Sequence, residues 1–173
     1  MNDFLDYSEI QQQAIAYAHK LAQPHIKKGY TFEHLFTYTD AKNAPLYWKL
    51  RLKNHVTGDK WIRAFSSGER GFELKEPQFS TVYPQGLGKK PLYALAQISK
   101  APQDAEVWLF EGEQKADLAQ DLGVYASTCG GSNTIDATDL APLQGRNIVI
   151  WRDNDRAGLE CQNNLALKLH QLD

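Results

Sequence analysis

Two short apolar runs lead directly into carboxylates, and this feature constrains the fold more than any other. Val107-Trp108-Leu109-Phe110 is followed by Glu111-Gly112-Glu113, and the almost wholly apolar Asn147–Trp151 by Arg152-Asp153-Asn154-Asp155. An uninterrupted apolar run of this length reads as a parallel strand buried on both faces. Between the two lie a segment of helical composition, Gln114–Leu122, with Gly123 placed to cap it, and a further short strand, Val124–Thr128. Leu92–Ile98 reads as a short helix ahead of the first strand. A last helix runs from about Asp155 to Leu172, with Cys161, Leu165, Leu169 and Leu172 on one face. Strand, helix, strand, loop, strand, helix specifies a parallel sheet in an α/β layer fold.

The residues upstream follow a different rhythm. Ile10, Ala14, Tyr17 and Leu21 recur at helical spacing over Ser8–Ala22, Ser8 and Gln11 resemble a capping box, and Pro24 is the expected stop. In Leu46–Lys53, Leu46, Trp48, Leu50 and Leu52 alternate with Tyr47, Lys49, Arg51 and Lys53, which makes a half-buried strand with one basic face. The turn Thr57-Gly58-Asp59 leads to a second strand, Lys60–Phe65, and a third short one is expected near Phe72. Pro77–Pro91, with three prolines and two glycines, reads as a connecting loop. The expected organisation is a mixed α+β subdomain with an antiparallel hairpin over residues 1–90, then an α/β domain over 91–173.

Composition narrows the classes. The 173 residues are 42% hydrophobic with a net charge of −2, so the chain has a core and no globally basic coat. No apolar run approaches the roughly 20 residues that span a bilayer. Met1-Asn2-Asp3-Phe4 does not open like a signal peptide, so the expected location is the cytoplasm, with no membrane partner. Cys129 and Cys161 make neither a disulfide framework nor a zinc knuckle, and the five histidines are scattered, so no zinc is expected. Cys161 falls on an apolar helix face and reads as core; Cys129 has no partner in the sequence to activate it as a nucleophile. The near-neutral total hides a polarised chain: residues 42–90 hold ten basic side chains against four acidic, and residues 101–173 five against twelve. One half is suited to a polyanion and the other to cations, unless solvated charge has clustered by chance.

Ligands of open parallel sheets gather outside the carboxyl ends of the strands, where both acidic motifs fall. Carboxylates converging there repel one another unless they share a hard cation such as Mg²⁺, the usual device for handling phosphates. Taken together, Val107 through Glu113, Lys115-Ala116-Asp117, Thr128-Cys129-Gly130-Gly131-Ser132 and Ile148 through Gly158 resemble the Toprim domain shared by bacterial-type primases, topoisomerases and some nucleases. The form most resembled is that of primases and primase-helicases of phages, plasmids and integrated elements. The resemblance covers roughly residues 92–173. It implies a Rossmann-like parallel sheet with helices on both faces, here without the final strand to which the fold normally continues. By the same resemblance Glu111 is the catalytic glutamate and a metal contact, Asp153 and Asp155 are metal-binding aspartates with a catalytic role, Asp117 is a further acidic metal position at a spacing two residues longer than usual, and Gly130 and Gly131 form the glycine turn. The implied function is metal-dependent nucleotidyl transfer in DNA replication, with Mg²⁺ or Mn²⁺ as cofactor. Single-stranded DNA template and nucleoside triphosphates are the implied partners, together with a replicative helicase in cis or in trans. No Gly-x-x-x-x-Gly-Lys-Ser/Thr occurs in the chain itself.

Several residues carry two readings. Lys49, Arg51, Lys53 and Arg63 either track a nucleic-acid backbone or form an ordinary solvated hairpin face. Lys115, Arg152 and Arg156 either meet a nucleotide's phosphates or pair with the neighbouring carboxylates. Trp48 and Trp61 read as core rather than base-stacking platforms. The same acidic edge also suits a nuclease that hydrolyses phosphodiesters, or a catalytically silent module that binds nucleic acid or a replisome component.

Overall fold

The computed structural model describes residues 7–130 and 132–172, with Ser132 described by its backbone alone. The chain forms two compact units: the described chain up to Tyr38 together with Ala44–Gln78, and Thr39–Asn43 together with the chain from Phe79 onward. Among the described residues no helix is long and apolar enough to cross a membrane.

In the first unit, helix α1 (Tyr7–Ile26) packs on a four-stranded sheet of order β1-β2-β3-β4, made of Thr31–Thr39, Pro45–Lys53, Lys60–Gly68 and Gly71–Glu73. Ala14, Ala18 and Ala22 recur every fourth residue along α1 and are fully buried against Trp48, Leu50, Leu52 and Phe65. Side chains this small let the helix lie close to the sheet. β2 and β3 pair antiparallel with Trp48 opposite Phe65 and Leu52 opposite Trp61, as the alternation in Leu46–Lys53 requires. Trp48 is wholly buried, and its indole Nε1–H donates to Gln11 Oε1 at 2.8 Å.

Two expectations fail here. Pro24 does not stop α1; it sits inside the last turn. The stop is Gly29, at φ +88°, whose N–H donates to the Ile26 carbonyl at 3.0 Å while Tyr30 N–H reaches the His25 carbonyl at 3.2 Å. This is a Schellman closure built on a left-handed glycine. Strand β1 has no counterpart in the sequence reading, although the aromatic and β-branched content of Thr31–Thr39 is its signal.

The second unit is built on a separate three-stranded parallel sheet of order β6-β5-β7, from Glu106–Phe110 (β5), Tyr125–Thr128 (β6) and Asn147–Trp151 (β7). Helix α4 (Glu113–Asp121) links β5 to β6, and α5 (Arg156–His170) follows β7. Val107 and Leu109 point into a core closed by Leu92, Ile98, Ile135, Leu140, Leu143, Cys161 and Leu165. Gly123, at φ +82°, ends α4 as expected.

The apolar strands are not buried on both faces, however. Trp108 and Phe110 emerge on the opposite side of β5, where Trp108 stacks on Trp151 at 5.6 Å and Trp151 remains 55% exposed. With Leu118 of α4 and Leu122 just after it, these rings line an open apolar groove of about 360 Å³. The helix expected over Leu92–Ile98 begins later, as α3 (Leu95–Lys100), because Tyr93 is tied to β6: its N–H donates to the Thr128 carbonyl, and its carbonyl accepts from Ser127 Oγ at 2.7 Å. Nor is Pro77–Pro91 a plain loop. It holds a helical turn, α2 (Phe79–Val82), and a 3₁₀ turn, Pro84–Gly86, and buries Phe79 and Tyr83 in the second unit.

Candidate active site at the carboxyl ends of β5 and β7

Strand order decides where a site can form. β5 is central, the chain leaves it toward β6, and after β6 it crosses to pair on the other side as β7. The two crossovers run in opposite directions from β5, so the gap beyond the carboxyl ends of β5 and β7 is the switch point at which such sheets place ligands. Phe110 and Trp151 are register partners, so the residues that follow them emerge side by side.

Those residues are Glu111 and the Arg152–Asp155 turn. Glu111 Oε1 accepts the Asp153 backbone N–H at 2.9 Å, joining the two strand ends. Asp155 adopts extended backbone at the N-cap of α5, and its Oδ1 accepts the Gly158 N–H at 2.7 Å, a short charge-assisted cap. Lys115, in the first turn of α4, forms an ion pair through Nζ with Asp153 Oδ1. Arg152 turns back to donate to the Asp153 carbonyl at 2.9 Å.

Gly158 makes this packing possible. A Cβ there would lie 2.6 Å from Glu111 Oε1 and would overlap the Asp153 carbonyl oxygen. Gly158→Ala is therefore expected to destabilise the chain by roughly 1–3 kcal/mol, whereas alanine at an unhindered helical position stabilises by about 0.5–1 kcal/mol. Urea unfolding reads the sign directly. A gain in stability would mean that α5 shifts freely away from Glu111.

The other sequence candidates are distributed less tightly. Asp117 follows Lys115 by two positions on α4, about 200° around the helix, and accepts the Tyr93 hydroxyl proton at 2.6 Å through Oδ1. Burial and the Asp117 carboxylate beside it push the Tyr93 phenol far above its usual range. Glu113, buried on the same helix, adds a further negative charge near Tyr93. The sequence reading names Asp117 and quotes Glu113 without placing them together; the signal is their i, i+4 spacing, which sets both opposite Lys115. Arg156 pairs with Glu160 at 2.9 Å on the exposed face of α5. Gly130 holds a left-handed turn at φ +88° after β6, its N–H donating to Thr128 Oγ1 at 2.9 Å, while Gly131 lies outside the described residues.

In the first unit the basic candidates divide. Arg51 Nε donates to Glu33 Oε2 at 2.7 Å, and this contact holds the Glu33 carboxyl below its usual range. Lys49 and Lys53 share the strand face of Arg51, half-buried. Arg63 is opposite Leu50 in register and so belongs to the other face of the sheet, with its guanidinium 5.6 Å from the centre of the Trp61 ring.

Neither cysteine is poised as a nucleophile. Burial raises the Cys129 thiol to about 12. Cys161 is also raised, by burial first and then by the charges of Glu111 and Asp153. A separate cleft of about 420 Å³ lies between the Gln85–Lys89 stretch and the end of α5. Asp139, which lines it, is held by the Tyr83 hydroxyl at 2.9 Å and the Ala141 N–H at 3.0 Å.

Among the described residues no three His, Cys, Asp or Glu side chains converge in a metal-holding arrangement. Glu111, Asp153 and Asp155 do have the right donor chemistry for a hard cation, since all three offer carboxylate oxygens. The bare Cα of Gly158 lets Glu111 Oε1 and the Asp153 carbonyl approach more closely than any side chain there would allow. What neutralises Asp153 in this arrangement is the Lys115 ammonium. Comparison of the chain with family models, with curated proteins and with solved structures found no match to any of the three.

Proposed function

We propose that this chain is a Toprim-type nucleotidyl-transfer domain of a primase-like replication protein, acting on nucleoside triphosphates along a DNA strand. The observation that carries the reading is the meeting of Glu111 and Asp153 at the switch point of a parallel sheet, joined by a 2.9 Å hydrogen bond. Mg²⁺ or Mn²⁺ would be held by Asp153 and Asp155 with Glu111 beside them, and when bound it supplies charge neutralisation at the phosphates. Asp117, turned toward Tyr93, is assigned a structural part. Glu111 is assigned the uptake or return of a proton, a role supported by the position of its carboxylate at the strand end beside the Asp153 turn. The basic strand face of Lys49, Arg51 and Lys53 is the surface assigned to a polyanion, with Arg51 already paired to Glu33.

The test is incubation of the chain with single-stranded DNA, labelled nucleoside triphosphates and Mn²⁺. Triphosphate-dependent extension supports the reading. Shortening of the DNA without triphosphates replaces it with hydrolysis by the same carboxylates. DNA binding that is indifferent to metal, with neither product, replaces it with a silent binding module.

A further inference from the structure

Lys115 forms an ion pair through its ammonium with Asp153, a carboxylate of the β5–β7 edge. It reaches Asp153 from the first turn of α4 and is 47% exposed against 39% for its partner. An ion pair that open is weakly held, because water screens it and a long side chain must be ordered to make it. The same lysine also lines the aromatic groove of Trp108, Phe110 and Trp151, so its Nζ stands at a border. On one side are the carboxylates, on the other an open face with no acidic side chain among its lining residues. The three carboxylates of the edge all accept hydrogen bonds or an ion pair, and among the described residues Lys115 is the side-chain cation in these contacts. Arg152 is directed at a backbone carbonyl and Arg156 at Glu160.

Resting on the proposed metal-dependent reading, we infer that Lys115 is an exchangeable counter-ion. It holds the charge of Asp153 while the site is empty, yields that carboxylate to an incoming divalent cation, and then presents its ammonium to the phosphates of a nucleoside triphosphate. This accounts for the absence of a three-carboxylate cluster among the described residues: with an ammonium on Asp153, the carboxylates have no need to converge. It also accounts for a lysine rather than an arginine at this position. An ammonium on a flexible stem can change partners, whereas a planar guanidinium favours a fixed bidentate pair.

The inference predicts effects of opposite sign on two ligands. Lys115→Met removes the competitor and should bind Mn²⁺ alone about two- to fivefold more tightly than wild type, the factor by which an exposed ion pair competes. The same variant should bind a non-hydrolysable nucleoside triphosphate in the presence of Mn²⁺ more weakly than wild type. Lys115→Arg, which keeps the charge, should stay within about twofold of wild type for Mn²⁺ alone. Calorimetric titration of wild type, both Lys115 variants and Asp153→Asn reads all of this without an activity assay. If wild type binds Mn²⁺ and Asp153→Asn does not, but Lys115→Met binds it no more tightly, the counter-ion role is overturned and the metal reading survives. Undiminished triphosphate binding by Lys115→Met also overturns the role. If neither wild type nor Lys115→Met takes up Mn²⁺, the metal reading falls and the inference with it.

Discussion

On the proposed nucleotidyl-transfer reading, Glu111→Gln is expected to lower metal-dependent nucleotide incorporation roughly 10²–10⁴-fold while leaving the chain folded. The amide keeps the shape of the side chain and retains an oxygen that can accept the Asp153 N–H, now found at 2.9 Å, so the joint between β5 and β7 persists. What disappears is a negative charge and the capacity to carry a proton. The measurement is the incorporation rate at saturating Mn²⁺ and triphosphate, paired with the urea midpoint of the same preparation. An unchanged midpoint with a collapsed rate assigns Glu111 to chemistry. An unchanged rate removes it from the reaction, and a lowered midpoint shows that its worth lies in fastening the strand ends.

The largest stability effect is expected at Trp48. Its indole is fully buried, lies 5.7 Å from the Phe65 ring and meets Phe72 edge-on at 5.4 Å, and its N–H supplies the 2.8 Å bond to Gln11. Trp48→Ala should destabilise the first unit by roughly 3–5 kcal/mol through lost contacts and the cavity left between α1 and the sheet. Trp48→Phe refills most of that space but has no donor for Gln11 Oε1, so its effect should be intermediate. Denaturant unfolding of both variants checks the ranking. If phenylalanine costs as much as alanine, the hydrogen bond dominates; if it costs nothing, packing alone holds α1 in place.

Where the sequence was legible, its periodicities agreed with the chain's own hydrogen bonding. The alternation from Leu46 to Leu52 could be satisfied by one strand only, and the Trp48–Phe65 pairing follows from it. The acidic motifs behind two apolar runs likewise had to fall at one edge once both strands were parallel neighbours of a common sheet. What escaped depended on partners far away along the chain. Tyr93 is held out of helix α3 by Ser127 and Thr128, and no local rule contains that contact. Thr31–Thr39 alternates poorly in burial, so period-2 patterning does not find it. Asp117 stands two residues beyond the usual spacing of the motif, and the helix turns it toward a tyrosine whose nearness only the fold creates. Lys115 had two readings of equal standing, and its position opposite Asp153 gives the carboxylate contact a geometry the sequence could not supply.

The stacked indoles of Trp108 and Trp151 stand on the two strands that carry Glu111 and Asp153, with ring centres 5.6 Å apart and planes inclined by 27°. Two identical chromophores at that separation couple their electronic transitions, so an exciton couplet in circular dichroism that depends on β5 and β7 keeping their register is the expected result. The molecule thus has an internal optical gauge a few residues from its carboxylates. A variant that is silent in assay yet keeps the couplet has lost a reacting group, and one that loses both has lost the frame that held it.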